Sequence, residues 1–524
     1  MKKFLRLTNI RFISQTTFFI LFILSIWASW VTKIGGYPVS RLLEIDVLVF
    51  FSTILSTGFI YKYLGWSLAI LFLTLLFGRV FCNWICPFGT IHQFFGWLFN
   101  INNNERRQQS NRYHHSQSLK YSFLIVFLFL AIPGALQIGL LDPLATVYRA
   151  FTVFLTPAWD MAIGNTINVD WLLFSPGSHS RVFTGSFWIG SIFIGLVALN
   201  LWLPRFFCRY LCPTGALLGI LSYFSLFRIV RDVNKCTDCN LCLNRCEGAS
   251  QPHNILKLSE CFTCFNCLDD CPEDALSYSP FFKSHSIVER KPDFSKRQFI
   301  FAGITGLISY PLLKNNGRLD DQSFSPLMIR PPGSIEESEF LKKCIKCDEC
   351  IRICPTNVLQ PATFEPGGFE ALWTPVLNFK IGHCQLKCNL CSIVCPTGAI
   401  REITVAEKLG KGLFEQKGPI RLGTAFINKN CCLPWANQIP CVVCEEVCPT
   451  APKAIQTFDE EEKDVFGNIV TLNKPFIIPD LCIGCGICQA ECPVTDKPAV
   501  YVTAIGESRS DNRRLLLKYR NHET

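Results

Sequence analysis

Cysteines in repeated groups of four are the residues of this chain most able to do chemistry. The chain has 29 cysteines in 524 residues, and two successive runs have the spacing C-x2-C-x2-C-x3-C: Cys236, Cys239, Cys242 and Cys246, then Cys261, Cys264, Cys267 and Cys271. When two such runs are adjacent, three thiolates from one loop and a fourth from the other run hold each [4Fe–4S] cluster. We therefore predict two clusters, on Cys236, Cys239, Cys242 and Cys271, and on Cys261, Cys264, Cys267 and Cys246.

Four further runs lie in the C-terminal third. Two keep the spacing and end in Cys-Pro: Cys344, Cys347, Cys350 and Cys354, and Cys482, Cys485, Cys488 and Cys492. A third has one extra residue in its first gap: Cys384, Cys388, Cys391 and Cys395. The fourth, Cys441, Cys444 and Cys448, needs a remote first ligand, for which we prefer Cys432 to its neighbour Cys431. These runs predict four more [4Fe–4S] clusters, six in all, without showing which fourth cysteine serves which cluster.

A second motif, C-x3-C-P, occurs twice in matching surroundings. Its copies are Arg79-Val-Phe-Cys82-Asn-Trp-Ile-Cys86-Pro87 and Arg205-Phe-Phe-Cys208-Arg-Tyr-Leu-Cys212-Pro213. A spacing of four predicts that both sulfurs of a copy lie on one helical face, where they could share a metal or form a redox pair. Buried structural thiols are the alternative, but two matching copies favour function.

Other chemistries explain the cysteines less well. Disulfide frameworks belong mainly to small domains that lack an apolar core, whereas 49% of this chain is hydrophobic. Zinc would need C-x2-C pairs separated by a longer loop. The sequence contains no C-x-x-C-H, no P-loop and no G-x-G-x-x-G opening a helix, which argues against attached haem and nucleotide binding. The net charge of +9 arises mainly beside apolar segments, so we predict no nucleic-acid partner.

Apolar segments in the first half predict an α-helical transmembrane bundle, since a span needs about 20 apolar residues. We assign four spans: Phe12–Thr32, Tyr63–Gly78, Tyr121–Leu141 and Val182–Pro204. Val47–Tyr61 is interpreted as an interfacial helix, although a fifth early span is an alternative. Flanking cations such as Arg11, Lys120 and Arg205 place both ends of the unit in the cytoplasm of a bacterial inner membrane. The Cys236–Cys271 clusters are then cytoplasmic.

A basic pair precedes another apolar segment between the two cysteine-rich parts. Lys296-Arg297 is followed by 16 uncharged residues, 298–313, which resemble a twin-arginine export signal in its Lys-Arg form. No cleavage site is evident, so we predict that the segment remains as a further anchor. Arg290 and Lys291 add positive charge before it, which favours a periplasmic location for the C-terminal clusters. A buried helix joining the two cysteine-rich parts is the alternative.

These observations predict a multidomain chain with five regions. The order is a four-helix membrane domain (1–230), a two-cluster domain (231–280), a basic linker with the apolar anchor (281–335), a four-cluster domain (336–505) and a polar tail (506–524). The fold class is an α-helical transmembrane bundle of four helices plus one anchor, followed by α+β domains of the bacterial two-[4Fe–4S] type.

The whole chain resembles two known ferredoxin families joined end to end. Residues 1–280 resemble the NapH family, the quinol-dehydrogenase membrane subunit of periplasmic nitrate respiration, through the four apolar segments, both C-x3-C-P motifs and the two cluster runs. Residues 295–505 resemble its exported partner NapG through Ser295–Ile300 and the runs ending in Cys354, Cys395, Cys448 and Cys492. The MauM-type methylamine-utilisation ferredoxins and the nitrous-oxide-reductase regulators share parts of this pattern. The resemblance implies electron transfer from menaquinol or ubiquinol to a periplasmic acceptor.

We therefore expect a membrane-bound iron–sulfur protein that relays electrons from the quinol pool to a periplasmic reductase. It would be a component of a quinol-dehydrogenase-type system with no catalytic side chains of its own, and its partners would be lipid, quinol and a redox protein. One difficulty is the hydrocarbon core of about 30 Å, which the thiol pairs, expected on the cytoplasmic side, do not bridge. A C-terminal part retained inside would remove the difficulty.

A maturation factor is the alternative function. It would reduce a metal or a disulfide during assembly of another enzyme, with the C-x3-C-P thiols as its working groups: Cys82, Cys86, Cys208 and Cys212.

Overall fold

The computed structural model describes residues 6–30, 41–99, 108–164, 181–280, 288–289, 293–314, 326–463, 469–494 and 496–510. Arg290, Lys291 and most of the predicted polar tail lie outside these ranges. The main helices before the first cluster runs are α1 (Leu7–Trp30), α2 (Val47–Thr57), α3 (Ser67–Phe77), α4 (Val80–Trp84), α5 (Pro87–Phe99), α6 (Leu119–Ala131), α7 (Pro143–Ala150), α8 (Thr156–Gly164), α9 (Ser186–Ala198) and α10 (Pro213–Ser222). Helix α11 (Lys296–Lys314) follows them.

The predicted spans differ in length from the helices that form. Within the described ranges, α1 contains the one stretch long and apolar enough to cross a membrane, Leu7–Ala28. Helices α3, α6 and α9 have 11, 13 and 13 residues, or at most about 20 Å of helix each. Helix α3 ends at Gly78, which has a φ of 81°, and α6 ends before Pro133 and Gly134, where proline cannot continue a helix. Within the described ranges, the predicted bundle of four full-length spans is therefore not confirmed.

Two α+β units carry the cluster runs. The N-terminal unit pairs β1 (Phe227–Arg231) with β2 (Leu276–Pro280) in antiparallel register, so that Ile229 lies opposite Tyr278. The C-terminal unit has three antiparallel pairs, formed in order by β3 (Leu359–Pro361) with β4 (Pro375–Leu377), by β5 (Thr424–Ile427) with β8 (Val500–Thr503), and by β6 (Ile455–Lys463) with β7 (Ile469–Ile477). The β1–β2 pair brackets the loops of the N-terminal unit, and the β5–β8 pair brackets the loops from Cys432 to Cys492. The loops from Cys344 to Cys395 are bracketed by a single bridge between Ser334 and Ile400.

The two units lie at opposite ends of α1. At its start, the Thr8 hydroxyl donates a 2.6 Å hydrogen bond to Asp269 of the N-terminal unit. Further along, the hydroxyls of Ser25 and Tyr148 are 3.4 Å apart, and the Tyr148 ring faces Arg352 of the C-terminal unit at 5.2 Å. Seventeen residues separate Thr8 from Ser25, about 25 Å along a helix. The helical layer therefore separates the two sets of cluster motifs.

Helix α11 also runs from the end of the helical layer at the N-terminal unit to the end at the C-terminal unit. The Gln298 amide donates to Ser118 at the start of α6, Gly306 packs against the Val126 backbone further along α6, and Lys314 interacts electrostatically with Glu370 of the C-terminal unit. The side chains of α11 that face outward are apolar and exposed, with Phe301 at 75%. The helix therefore joins the two units with an exposed apolar outer face, and the choice between a membrane anchor and a buried joining helix stays a prediction.

A buried ion pair attaches the N-terminal unit to the helical layer. The Lys120 ammonium at the start of α6 contacts the Glu260 carboxylate, and both side chains are at most 2% exposed. The Tyr121 hydroxyl donates to the other Glu260 oxygen at 2.9 Å. Because a buried charge without its partner is costly, this contact orients the Cys261 loop on the helices.

A second ion-pair network links the beginning and the end of the C-terminal unit, and it gives a prediction about how stability depends on pH. Glu337 accepts from Arg330 at 2.6 Å and from Arg509 at 2.7 Å. Burial alone would raise the pKa of Glu337, but Arg330 and then Arg509 lower it from 4.5 to about 2. A carboxyl with a lowered folded-state pKa stabilises the fold above its unfolded pKa, and this stabilisation is lost as the pH falls through the folded value.

Glu337→Gln is therefore expected to destabilise the C-terminal unit by about 3 kcal/mol at pH 7. The difference from the parent should shrink as the pH falls from about 5 towards 2. Urea midpoints measured anaerobically for both proteins at several pH values test this. A destabilisation that does not change with pH would contradict the electrostatic origin.

Candidate iron–sulfur centres

Two cavities in the C-terminal unit are each lined by four cysteines. The first is lined by apolar residues such as Phe340 and Ile400, and its cysteines are Cys344, Cys347, Cys350 and Cys395. The second is lined by Ala425, Ile455 and Val502, and its cysteines are Cys448, Cys482, Cys485 and Cys488. In each cavity three cysteines come from one run and the fourth comes from another.

The remaining cysteines of this unit form the complementary sets. Cys391 interacts electrostatically with Cys384, Cys388 and Cys354, and Cys444 interacts with Cys432, Cys441 and Cys492. Cys354 thus lies with the first three cysteines of the run that ends in Cys395, and Cys395 lies with those of the run that ends in Cys354. Cys448 and Cys492 are crossed between their two runs in the same way. Cys432 is buried, whereas the Cys431 thiol donates to the Asn428 carbonyl oxygen.

The N-terminal unit brings its cysteines together in the same way. Cys242 interacts with Cys236, Cys239 and Cys271 besides Cys246, and Cys267 interacts with Cys264, Cys261 and Cys246 besides Cys242. These are the neighbours that the spacing predicted for the two clusters. The assignment of ligands itself stays a prediction.

The chemistry of the cavities fits an iron–sulfur cluster. Burial raises the pKa of Cys350 well above the ordinary thiol value, as it does that of Cys488. Four such sulfurs become thiolates together only where a metal centre compensates their charge. Apolar walls around four thiolates are the surroundings that tune the potential of such a centre. No group of His, Cys, Asp or Glu in the described ranges is arranged for a single metal ion.

Several basic side chains near the sulfurs were not identified from the sequence. The buried Lys408 ammonium donates to Cys384 Sγ at 3.3 Å and to the carbonyl oxygens of Gln385 and Cys388 at 2.6 and 2.7 Å. Hydrogen bonds to cluster sulfurs raise the reduction potential by stabilising negative charge. Arg79 and Arg205 are each less than 2% exposed. The sequence feature that could have identified them is their matching position, three residues before the first cysteine of a C-x3-C-P motif.

The C-x3-C-P cysteines do not lie on a single helical face, so that prediction was wrong. Cys82 lies in α4, whereas Cys86 precedes α5 and its sulfur accepts from the Gly89 N–H at 3.4 Å. In the second copy, Cys208 lies in a π-helical turn and Cys212 caps α10, accepting from the Gly215 N–H at 3.2 Å. Proline after the second cysteine lacks an N–H and favours the first position of a new helix, so the helix breaks between the two thiols.

The fold and the cysteine-lined cavities are those of an iron–sulfur protein of the ferredoxin type. Families described as 4Fe-4S binding domain match residues 47–102 with 185–231 and residues 475–494, and a 4Fe-4S dicluster domain matches residues 343–399. No solved structure matches the chain significantly.

Curated relatives make the class more specific. An uncharacterized protein of Methanocaldococcus jannaschii is 27% identical, covering 53% of this chain and 98% of the relative. Ferredoxin-type protein NapH of Haemophilus influenzae is 29% identical over 42% of this chain and 68% of its own length. Ferredoxin-type protein NapG of Escherichia coli is 29% identical over 36% and 75%. The chain is an iron–sulfur electron-transfer protein that resembles a fusion of NapH-type and NapG-type ferredoxins.

Proposed function

We propose that this protein is a membrane-bound relay that passes electrons from the quinol pool to a periplasmic reductase. The observation that carries the proposal is the separation of the two cysteine-rich units by an apolar helical layer. Helices α1 and α11 both run from one unit to the other. Their outward side chains are exposed and apolar, including Phe12 at 65%, Ile300 at 60% and Phe301 at 75%. Lipid is the surrounding that such a belt favours.

The proposed cofactors are six [4Fe–4S] clusters, two in the N-terminal unit and four in the C-terminal unit. Each supplies one-electron redox chemistry. The six ligand sets are Cys236, Cys239, Cys242 with Cys271; Cys261, Cys264, Cys267 with Cys246; Cys344, Cys347, Cys350 with Cys395; Cys384, Cys388, Cys391 with Cys354; Cys432, Cys441, Cys444 with Cys492; and Cys482, Cys485, Cys488 with Cys448. Oxidation of one quinol releases two electrons and two protons, so the chain accepts the electrons singly in two steps.

The cation pattern sets the proposed sidedness. Arg11 lies near the start of α1, and Lys296 and Arg297 lie at the start of α11, all at the end of the layer that bears the N-terminal unit. Cationic flanks remain in the cytoplasm. The N-terminal unit is therefore proposed to be cytoplasmic and the C-terminal unit periplasmic.

Burial of the C-x3-C-P thiols favours the relay over the maturation factor. Cys86 and Cys212 are 5% exposed, Cys208 is 8% exposed, and Cys82 is half-buried against the core. A thiol that reduces another protein must be reached by its partner's sulfur or metal. These sulfurs lie in the helical core, which suits a fixed internal site.

Topology mapping tests the proposal. A reporter active only in the periplasm is expected to be active when fused after Thr524 and inactive when inserted after Pro280, and a reporter that fluoresces only in the cytoplasm should give the reverse pattern. Both insertions leave all predicted ligands intact. Equal signals from the two positions, with either reporter, would end the relay proposal.

A further inference from the structure

The two C-x3-C-P motifs, which the six clusters leave unused, converge in the helical core. We propose that Cys82, Cys86, Cys208 and Cys212 together form one four-thiolate site that holds a further iron–sulfur cluster. We call it the central site. The site stands on its own geometry, whereas its role in the relay rests on the proposed function.

All four sulfurs of the central site are mutual neighbours. Each of the six possible pairs interacts electrostatically, both within a copy and across the two copies. Aromatic packing holds the copies together, with the Phe88 and Phe207 rings 4.7 Å apart and His92 stacked on Phe207 at 5.7 Å. The broken helices therefore turn two distant sequence motifs into a single donor set.

Buried guanidinium groups beside the central site have N–H groups without an acceptor. The space beside Gly215 is shared by Arg79 Nη2 and Cys212 Sγ, which lie 2.8 and 3.3 Å from the position that a Cβ there would take. Nε and Nη2 of Arg79 have no hydrogen-bond partner, and the same holds for Nε and Nη1 of Arg205. Arg79 interacts with Cys82 and Cys212, and Arg205 interacts with Cys208.

Glu247 already pairs with Arg205 at 2.7 Å, and Glu260 interacts with Arg79. Neutral thiols or two disulfides would nevertheless leave the unpartnered guanidinium N–H groups without a strong acceptor, which is costly for buried donors. Four thiolates around an iron–sulfur core carry net negative charge, and their sulfurs can accept the free N–H groups.

The central site lies between the two sets of clusters. On one side, Arg79 Nη1 donates at 2.6 Å to the carbonyl oxygen of Ser259, two residues before Cys261. On the other, the Thr214 hydroxyl donates at 2.9 Å to Asp142, which caps α7. Arg149 on the same helix donates at 3.1 Å to the carbonyl oxygen of Lys346, between Cys344 and Cys347.

A one-electron carrier at this position would divide the gap across the helical layer into two shorter steps. In each step the donor loses one electron and the acceptor gains one, and no bond forms or breaks. Asn83 and Gln93 hold Arg205 against the motif by accepting from its Nη2, which fixes the position of this guanidinium group. The distance that opposed a transmembrane relay is thereby bridged within this chain.

Native mass spectrometry of the anaerobically purified full chain tests the central site. Six [4Fe–4S] clusters account for about 24 irons, and the proposal expects two or four more, depending on the nuclearity of the seventh cluster. A holoprotein mass that corresponds to 24 irons and no more would overturn it. This measurement uses the unaltered protein and does not depend on the folding of a variant.

The double variant Cys208→Ala with Cys212→Ala tests which residues hold the extra iron. It is expected to lose two or four irons per chain, with the corresponding acid-labile sulfide, and to keep the rest. Cys431→Ala, which removes the thiol outside every proposed set, is the matched control and should lose none. Unchanged iron in the double variant, or recovery of Cys82–Cys86 and Cys208–Cys212 disulfides from the parent protein, would overturn the assignment. Failure of the topology experiment alone would leave it standing.

Discussion

Cys395→Ala is expected to remove the cluster held by Cys344, Cys347 and Cys350, not the cluster of its own run. Cys395 lines the first cavity, whereas Cys354 lies with Cys384, Cys388 and Cys391. Loss of one of four thiolates leaves the core open on one side, so about four irons should be lost per chain. Alanine is used because serine can itself serve as an oxygen ligand.

Combining this change with a second one identifies the partner run. Cys395→Ala with Cys344→Ala should lose no more iron than either single variant, because both remove the same cluster. Cys395→Ala with Cys384→Ala should lose about eight irons, because two clusters are removed. Iron and sulfide assays with EPR spin counts provide the measurement, and Cys431→Ala again serves as the control. The opposite pattern of losses would show that each run supplies all four of its own ligands.

Gly139→Ala is expected to detach the C-terminal unit from the helical layer. A Cβ at Gly139 would lie 1.8 Å from the carbonyl oxygen of Ile345, which is far inside van der Waals contact. Ile345 follows Cys344 directly, and its backbone has no flexible end that could move aside. Overpacking of this kind costs about 1–3 kcal/mol or more. The cost falls on the interface through which Arg149 contacts the Cys344–Cys347 loop.

Hydrogen exchange and thermal midpoints in detergent test the Gly139 prediction. Amides of residues 337–347 should exchange faster in the variant, the midpoint should fall, and electrons supplied to the N-terminal clusters should reach the C-terminal clusters more slowly. The matched control is Gly195→Ala in α9, where a Cβ meets nothing within 4 Å and alanine favours the helix by up to about 1 kcal/mol. Equal behaviour of the two variants would refute a tight docking at Gly139.

The cofactor class was predictable because each cysteine run is a single short loop. Three sulfurs separated by two residues can reach one core whatever the rest of the chain does, so the loops around Cys344 and Cys482 were recognisable from spacing alone. Which cysteine of another run lies with each loop of the C-terminal unit was not predictable from the sequence. Cys354 and Cys395 change places only because their two runs pack against each other, and spacing within a run contains no information about that packing.

In the apolar region, too, the sequence predicted some features and missed others. Hydropathy located the apolar segments, but it did not show that α3 and α6 end early at Gly78 and before Pro133. The helix break between Cys82 and Cys86 was visible as Pro87, yet the periodicity of four was interpreted as a continuous helix. Because proline cannot continue a helix, Pro87 determined the local structure, and the spacing of four residues between the cysteines did not.

By itself the sequence determined the kind of centre, the number of loops that could hold one, and the order of apolar and cysteine-rich parts along the chain. These follow from bonds and spacings within a few residues. Only the tertiary structure decided which runs bring their cysteines together, that Cys82, Cys86, Cys208 and Cys212 converge, and that the two cysteine-rich units lie at opposite ends of α1. Contacts between residues more than 100 positions apart, such as Arg79 with Ser259 and Arg149 with Lys346, arise from burial and packing of whole helices, which no local pattern encodes.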